Sequence, residues 1–271
     1  MSLRALPFPS LVGHVAMGER SAIFSGDMDL TKASGVLIRM MPPGSLEQVI
    51  YRMDALHLLD RAGVPLLNSP RAVEISVDKY LSLALLKHAG LPVPPTTICE
   101  TIDEALKAFE ILGRDIVVKP LFGSEGRGLV RAADRELARR VFQALAAIGS
   151  VIYVQQTVRH PGYDYRAFVL GGTVVGAIRR FAPADDWRTN VAVGGRPEAY
   201  GLTDELEALA IAAANAVGAE MAGVDLLDDL DRNSTVVLEV NAVPGWKALS
   251  KSTGIDVAAA ILKQLREKSL G

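Results

Sequence analysis

Two β-type segments near the carboxyl end constrain the fold and the chemistry of this chain more than any other feature. Residues 222–227 are typical of one strand, residues 238–241 are typical of the next, and a polar turn joins them. Glu239 and Asn241 are two residues apart, so both side chains are expected on one strand face, where pairing would add Asp225. Two carboxylates and an amide oxygen are hard ligands that suit Mg²⁺ and leave positions for phosphate. The segments therefore predict a metal-assisted nucleotide site; the alternative is that Asp and Asn only form turns here.

The bulk composition excludes several classes of protein. The chain has 271 residues, of which 49% are hydrophobic and 22% charged, as is ordinary for a soluble globular enzyme. A net charge of −2 gives no strong field to attract nucleic acid or an anionic membrane. Cys99 is the only cysteine, so an intrachain disulfide and a cysteine metal cluster are excluded. No apolar run reaches transmembrane length and no signal-peptide pattern is present, so we expect a cytoplasmic protein without nucleic-acid or membrane partners.

Hydrophobic periodicity and turn signals predict mixed helices and strands, with antiparallel strands in the second half. Residues 34–39 and 64–67 are typical of strands and residues 46–62 of a helix, which indicates a small α/β domain at the start. Asn68–Pro70 is interpreted as a turn. Further predicted helices are 77–88, 101–113, 134–148, 203–217 and 256–268, and further predicted strands are 115–119, 151–155 and a hairpin over 166–180. The predicted fold class is therefore α/β and α+β mixed.

A glycine-rich loop that follows directly from a strand end is a second candidate for phosphate binding. Its candidate residues are Gly123, Ser124, Gly126 and Gly128. Glycine has no Cβ, so backbone N–H groups can approach phosphate oxygens closely. The glycine spacing fits neither a P-loop nor a dinucleotide fingerprint, and a plain hairpin turn is the alternative. Lys119 just before the loop favours phosphate binding, as does Lys79 at the start of a helix, although each could be a surface lysine.

A series of polar residues across the predicted hairpin is a candidate clamp for an anionic substrate. Its members are Asp164, Arg166, Arg179, Arg180, Arg188, Thr189 and Asn190. Arginines near acids and an amide could hold an anion and a phosphoryl group in transfer. Each of these residues could equally be a surface charge. The four histidines show no metal-ligand spacing and are interpreted as structural or surface residues.

The order of these parts resembles the ATP-grasp carboxylate–amine ligases, in particular the RimK-like glutamate ligase branch. The resemblance covers about residues 68–254. The segments that carry it are Asp78-Lys79, Leu85-Leu86, Gly90–Pro94, Val117–Pro120, Gly123–Gly128, Gln155-Gln156, Asp164–Arg166, Trp187–Asn190, Gly194-Gly195, Val224-Asp225 and Glu239–Gly245. It implies an ATP-grasp fold with a shortened N-terminal α/β domain over 1–74 and an ATP-grasp domain over 75–271. The latter would comprise a small subdomain at about 90–155 and a C-terminal subdomain at about 156–271.

The resemblance also implies roles for individual residues. Lys79 and Lys119 would contact the phosphates of ATP, and the glycine loop would close over them. Gln156 and Thr157 would hold adenine, although the family more often has an acidic residue at the first position. The nucleotide and substrate site would also include Asp164, Arg188, Thr189 and Asn190. Mg²⁺ or Mn²⁺ would bind Asp225, Glu239 and Asn241, while Arg166 and Arg179 would steady an acyl phosphate as catalytic residues.

The implied reaction joins an amino acid, L-glutamate, to a carboxylate through an acyl phosphate, with release of ADP and phosphate. Residues 44–50 and 241–247 look like those of a RimK-like group associated with tetrahydromethanopterin biosynthesis, which suggests a pterin cofactor precursor as acceptor. The expected partners are thus a small carboxylate acceptor and an amino acid, with a homo-oligomer not excluded. Glutamylation of a protein tail is one alternative, which a basic groove would favour. A non-catalytic ATP-binding regulator is another, which would lack part of the metal trio.

Overall fold

The computed structural model describes residues 3–15, 21–123 and 128–270. Within those ranges the chain forms helices and strands in an interleaved order that agrees with the predicted mixed class. The helices are α1 (Leu46–Arg61), α2 (Pro70–Val77), α3 (Lys79–His88), α4 (Ile102–Ile111), α5 (Arg135–Ala147), α6 (Asp204–Ala216), α7 (Lys247–Thr253) and α8 (Val257–Lys268). No helix in the described ranges is long and apolar enough to cross a membrane.

The strands fall into four sheets among the described residues. They are β1 (Leu11–His14), β2 (Ala22–Ser25), β3 (Met28–Asp29), β4 (Val36–Leu37), β5 (Leu66–Leu67), β6 (Thr96–Cys99), β7 (Ile116–Lys119), β8 (Val130–Ala132), β9 (Ile152–Gln156), β10 (Tyr163–Leu170), β11 (Thr173–Phe181), β12 (Arg196–Ala199), β13 (Met221–Asp229) and β14 (Ser234–Asn241). The sheet orders are β1-β2-β3, β4-β5, β6-β9-β7-β8 and β12-β11-β10-β13-β14.

One predicted helix boundary was wrong, because the region before Asp78 also forms a helix. The prediction placed a turn at 68–70 and a helix over 77–88, whereas α2 begins at Pro70 and α3 at Lys79. Ser69 caps α2, since its hydroxyl accepts a hydrogen bond from the Ala72 N–H, and proline at the first helical position suits this start. Asp78 has extended backbone angles, ends α2 and caps α3.

The N-terminal region is built from short strands around α1. Strands β1–β3 form an antiparallel meander, and β4 pairs in parallel with β5. Ser45 starts α1 through a capping box with Gln48. The buried face of α1 carries Ala55 and Leu59, which pack with apolar residues of the meander and of β5. The predicted α/β character is therefore present, and the division at residue 74 stays a prediction.

The four-stranded sheet has one apolar and one polar face. Helices α4 and α5 cover the apolar face, whose core includes Phe109, Ile116 and Phe142. Strand alternation then puts Val117, Lys119 and the residues opposite them on β9 on the other face. On this face Val117, Lys119 and Gln155 form one wall of the cleft described below, while Tyr153 packs into the core beside α3.

The five-stranded sheet is covered completely on one face and only partly on the other. Helices α3 and α6 pack on the first face. On the second face, α7 and α8 pack over Phe168, Leu170 and Ile178 at one end. At the other end of that face the residues become polar, beginning with Asp164 and Arg166 on β10. This polar end forms the opposite wall of the cleft.

Asn68 connects the N-terminal region to the five-stranded sheet. Its side chain is fully buried. The Nδ2 group donates to the carbonyls of Met221 and Ala242, both at 2.6 Å, and Oδ1 accepts from the Met221 N–H at 2.8 Å. Because three buried backbone groups depend on this one amide, it fixes the position of β5 relative to β13.

Candidate active site

A cleft of about 490 Å³ lies between the four-stranded and the five-stranded sheets. The predicted site residues that line it are Lys79, Lys119, Gly123, Gln156, Thr157, Asp164, Arg188, Thr189, Asn190, Asp225 and Glu239. Gly128, Arg166, Arg179 and Asn241 do not contribute to that lining, and Ser124 and Gly126 fall outside the described residues. The cleft also contains Arg180, which was predicted as a member of the anion clamp but was given no role of its own, and His160, which was interpreted as a structural or surface residue. A concave site lined by converging charges of both signs is typical of an enzyme that binds a charged ligand.

The predicted grouping of Asp225, Glu239 and Asn241 is confirmed by the strand register. Asp225 pairs with Glu239, and Gly223 pairs with Asn241, so the three side chains share one face of the β13–β14 ribbon. A β-bulge follows Asp225, and Leu226 pairs with Val237. The side-chain oxygen of Asn241 accepts a hydrogen bond from the Val243 N–H at 2.9 Å, which orients the amide.

Asp225 lies between two arginines. Arg166 on β10 donates from Nε and Nη2 to the two carboxylate oxygens at 2.6 and 2.7 Å. Arg180 on β11 reaches the same carboxylate at 3.0 Å. Burial alone would raise the pKa of Asp225, but the two guanidinium groups outweigh burial and lower it. Asp225 is therefore held as an anion in a nearly solvent-free position.

Arg180 is the central cation of this wall, whereas Arg179, the preceding residue, was predicted to be a catalytic arginine. Its guanidinium makes a bidentate ion pair with Asp164, and both side chains are buried. Thr189 adds a hydrogen bond from its hydroxyl to Asp164 at 2.5 Å. Burial lowers the pKa of Arg180, but Asp225 and Asp164 outweigh burial and raise it. Arg180 thereby links the two carboxylates into one network.

Arg179 must be corrected as a predicted catalytic residue, because its side chain lies on the opposite face of the sheet. Its guanidinium lies 4.1 Å from the ring centre of Tyr200 and 4.4 Å from that of Tyr163. Tyr165, on the same face, is 5.6 Å away. Its Nε is buried without a hydrogen-bond partner in the described part of the chain. This arginine is therefore enclosed by aromatic rings behind the sheet and does not face the cleft.

Two lysines supply the positive charge of the opposite wall. The Lys79 ammonium donates to the carbonyl of Gly123 at 2.6 Å, so it ties α3 to the start of the glycine loop. The Lys119 ammonium donates to Oε1 of Gln155 at 2.6 Å. Burial, together with the nearby charge of Lys79, lowers the pKa of Lys119 to about 8, although Glu239 opposes the change. Burial also lowers the pKa of Lys79. Two partly desolvated ammonium groups side by side indicate a site for an anion.

The glycine loop is described at its two ends only. A Cβ on Gly123 would lie 3.1 Å from Cγ of Pro120, which is a tight contact. Gly128 has a φ of 74°, in the left-handed region that favours glycine. Both ends therefore depend on glycine, which agrees with a tight loop after β7.

The end of β9 forms the inner edge of the cleft. Gln156 donates from its amide to the carbonyl of Leu112 at 3.2 Å and accepts from Arg232 at 2.7 Å. The Thr157 hydroxyl donates to Asp115 at 2.9 Å, and Asp115 is also paired with Arg131. The apolar cleft residues nearby include Val117, Leu227 and Leu238. An apolar lining with an amide and a hydroxyl group beside it suits a purine ring.

The segment 187–195 closes the cleft at its outer side. Arg188 makes a bidentate pair with Asp186, while Thr189 bonds Asp164, as described above. The segment then turns back sharply, and the Gly195 N–H donates to the carbonyl of Asn190 at 3.1 Å. A Cβ on Gly195 would lie 2.0 Å from the carbonyl oxygen of Thr189, so only glycine fits there.

Asp225, Glu239 and Asn241 on the β13–β14 ribbon can hold a divalent metal, although arginines already contact Asp225. No group of three or more His, Cys, Asp or Glu in the described ranges is arranged to hold a metal ion. Asp225, Glu239 and Asn241 instead offer two carboxylates and one amide, the donor set of a metal that shares its coordination with phosphate. Asp225 Oδ2 already contacts both Arg166 and Arg180, so only Oδ1, which accepts from Arg166 alone, keeps a lone pair for a metal. These three residues therefore fit a divalent metal, and Glu239 is the donor least engaged with other side chains.

The chain matches known proteins in both sequence and fold. Residues 76–265 match the family model of the RimK-like ATP-grasp domain. The chain is 32% identical over 268 residues to the tetrahydromethanopterin:alpha-L-glutamate ligase of Methanosarcina acetivorans, covering 89% of this chain and 82% of that one. It is 34% identical over 222 residues to the protein of the same name from Methanocaldococcus jannaschii, covering 79% and 74%.

Solved structures agree on the fold. The ATP-grasp ligase PsnB, determined with its minimal precursor, Mg and ADP, superposes with a TM-score of 0.72 at 21% identity, covering 96% of this chain and 85% of that one. The D-cycloserine synthetase DcsG superposes with a TM-score of 0.70 at 23% identity, covering 90% and 86%. The predicted ATP-grasp fold and the predicted ligase class are thus confirmed. The chain belongs to the RimK-like ATP-grasp family, and it is an ATP-dependent ligase of the carboxylate–amine type.

Proposed function

We propose that this protein joins L-glutamate to the carboxylate of a tetrahydromethanopterin-type cofactor precursor, at the expense of ATP. The observation that carries the proposal is the cleft itself, in which two lysines face a carboxylate ribbon backed by two arginines. The choice of L-glutamate and of a pterin acceptor rests on the names of the relatives from Methanosarcina acetivorans and Methanocaldococcus jannaschii.

The nucleotide is proposed to lie along the four-stranded sheet. Adenine would lie against the apolar lining beside Gln156 and Thr157, and the phosphates would extend toward Lys79 and Lys119. The remaining predicted nucleotide and substrate contacts are Gly123, Ser124, Gly126, Gly128, Asp164, Arg188, Thr189 and Asn190. Asp225, Glu239 and Asn241 would hold Mg²⁺ or Mn²⁺, which when bound neutralises phosphate charge and orients the terminal phosphoryl group.

The reaction is proposed to proceed in two displacements. An oxygen of the acceptor carboxylate attacks the γ-phosphorus, the new oxygen–phosphorus bond forms, and the bond to the β-phosphate oxygen breaks to release ADP. The amine of glutamate then attacks the acyl carbon, loses a proton, and expels phosphate together with the former carboxylate oxygen. Phosphoryl transfer needs positioning and charge neutralisation more than covalent protein chemistry. We propose that Arg180, which lines the cleft, and Arg166, which holds Asp225 behind it, supply that charge, together with Lys119 on the nucleotide side.

The proposal is tested by supplying candidate substrates to the purified protein. With MgATP, a tetrahydromethanopterin-type acceptor and L-glutamate, mass spectrometry should show a product heavier by one glutamyl residue, with one ADP released per bond formed. D-glutamate and L-aspartate serve as amine controls, and Glu239→Gln serves as the control variant without turnover. Glutamate addition to a peptide tail but not to the pterin would contradict the proposed acceptor. ADP release without formation of an amide product from any acceptor and amino acid would contradict the ligase assignment to this cleft.

A further inference from the structure

Two segments far apart in sequence meet at the end of β14, the strand that carries Glu239 and Asn241. The first is the loop 38–45 between β4 and α1, and the second is the loop 242–246 after β14. The Arg39 guanidinium stacks on the indole of Trp246 at 3.5 Å from the ring centre. It also donates from Nη1 to the carbonyl of Pro244 at 3.1 Å. Met41 and Val243 pack against the same apolar cluster, so the two loops form a continuous surface.

Arg39 has no acidic partner within the described residues. Its side chain contacts the indole of Trp246 and the carbonyl of Pro244. Arg39 is exposed as a residue, but partial burial of its guanidinium lowers the pKa of the group, and no carboxylate of the described residues offsets that shift. Arg166 and Arg180, by contrast, are each paired with aspartate. A partly desolvated guanidinium without a counter-ion gains net free energy when it binds an anion.

The contacts of Arg39 connect it, through Pro244, to the region of Arg166 and Asp225. Following β14 from Glu239 through Asn241, the chain reaches Pro244, which accepts from Arg39. A Cβ on Gly223 would lie 3.0 Å from Pro244 and 3.8 Å from Nε of Arg166, so both side chains lie over this glycine. Pro244 therefore accepts from Arg39 and lies over the same glycine as Arg166, the arginine that holds Asp225.

Arg52 on α1 holds the loop that carries Arg39 in place. Arg52 is buried and donates to the carbonyl of Pro42 at 2.7 Å and to that of Pro43 at 3.4 Å. A Cβ on Gly44 would lie 2.9 Å from the same guanidinium, so the loop sits directly on it. A cation on a fixed loop binds a ligand with little ordering cost.

We infer that Arg39, backed by Trp246, binds a non-reacting carboxylate of a substrate and so helps to determine which substrate is accepted. The inference rests on the proposed function, and it adds a recognition site for a substrate carboxylate to the proposed active site. A guanidinium has five N–H donors, of which the Pro244 contact uses one. Stacking on the indole fixes the plane of the group, which leaves its edge for a bidentate carboxylate contact. The carboxylate belongs either to the acceptor or to glutamate, and kinetics separates the two.

The kinetic test compares Arg39→Ala and Arg39→Lys with Arg61→Ala, a substitution of another exposed arginine in the N-terminal region. Arg39→Ala should raise the KM of one carboxylate substrate about 10- to 100-fold, the size expected for a lost charge-assisted contact, and leave the KM of ATP within about twofold. The substrate whose KM rises is the one that supplies the carboxylate. Arg39→Lys should recover only part of the loss, and Arg61→Ala should change nothing. Unchanged KM values for both substrates in Arg39→Ala, or an equal rise for ATP, would overturn the inference.

A binding test separates this inference from the ligase proposal. Trp187 and Trp246 are the two tryptophans, so Trp246 is the sole indole reporter in Trp187→Phe protein. Glutarate should change its fluorescence saturably, the uncharged diamide of glutarate should not, and Arg39→Ala should abolish the glutarate response. The absence of a glutarate response, or its persistence in Arg39→Ala, would refute the subsite. A normal response in Trp187→Phe, together with no glutamyl product from the unsubstituted protein, would contradict the proposed function and leave the subsite intact.

Discussion

Arg179 and Arg180 are neighbours in β11, yet their side chains lie on opposite faces of the five-stranded sheet. In the β10–β11 hairpin, Leu170 pairs with Thr173 and Val169 with Val174. That register, continued without a break, would pair Asp164 with Arg179. A bulge between Phe168 and Val169 shifts it by one residue, and Asp164 pairs with Arg180 instead. A bulge leaves no clear signal in a single sequence, so the sequence could predict an arginine at this point but not which one.

The first prediction distinguishes the two arginines. Arg180→Lys, which keeps a charge between Asp164 and Asp225, should lower kcat about 100-fold because a single ammonium cannot hold both carboxylates in place. Arg179→Met should lower the free energy of unfolding by about 1–2 kcal/mol through loss of its contacts with the tyrosines, with kcat within about threefold. Steady-state kinetics and urea denaturation of both variants check this. Equal losses of kcat in the two variants, with both folded, would contradict the assignment.

The second prediction concerns the protonation of Lys119. Its pKa is about 8 before ligand binds, because burial disfavours the ammonium form. Phosphate oxygens favour that form and should raise the pKa, so nucleotide binding near pH 8 should take up a proton. Affinity for MgADP should therefore fall as pH rises through 8 and be nearly constant below pH 7.

Calorimetry in buffers with different ionisation enthalpies measures that proton uptake directly. Lys119→Gln should bind MgADP more weakly and without the step near pH 8. A step of the same size in Lys119→Gln would show that another group is responsible.

At the scale of elements, patterns with a regular period were predictable and irregular connections were not. The helix starting at Leu46 follows from the spacing of its apolar residues, and the ribbon that pairs Asp225 with Glu239 follows from the alternation of strand side chains; both are confirmed. The strands of the N-terminal meander are two to four residues long, too short to show a period. The segment 187–195 has no regular period either, although it supplies Thr189 to the buried network.

The third prediction tests that segment through Gly195. Gly195→Ala would bring a Cβ within 2.0 Å of the Thr189 carbonyl, so the segment must shift and Thr189 must leave Asp164. We expect MgADP affinity to fall at least about tenfold and the free energy of unfolding to fall by about 1–3 kcal/mol. Gly201→Ala is the matched control, because a Cβ there meets nothing within 4 Å. Calorimetry that finds equal affinities for the two variants would show that the segment does not contribute to the nucleotide site.

At the scale of the whole molecule, the cleft exists because separate layers are held at fixed distances. The order of motifs predicted that Lys79, Lys119 and Asp225 would converge, through the resemblance to ATP-grasp ligases, and the cleft brings them together. The contacts that hold the layers could not be predicted in the same way. Asn68 was interpreted as part of a turn, since Asn is common in turns, but its amide is the buried link between β5 and β13.

The fourth prediction tests this link. Asn68→Ala leaves the Met221 N–H and the carbonyls of Met221 and Ala242 buried without their partner, which should cost about 3 kcal/mol of unfolding free energy. Asn68→Asp should cost more, because a carboxylate would face two carbonyl oxygens. Asn215→Ala, on an exposed position of α6, is the control and should change stability by less than about 0.5 kcal/mol. Urea denaturation that finds Asn68→Ala as stable as Asn215→Ala would contradict the role of Asn68.

The central claim is that the cleft transfers the γ-phosphoryl group of ATP to a substrate carboxylate. The most direct measurement uses acceptor labelled with ¹⁸O in its reacting carboxylate, incubated with the protein, MgATP and L-glutamate, followed by mass analysis of the products. The account predicts one labelled oxygen in the inorganic phosphate for each amide bond formed, together with ADP, because the attacking oxygen leaves with phosphorus when the amine arrives. Label recovered in AMP, or phosphate released without label, would contradict it.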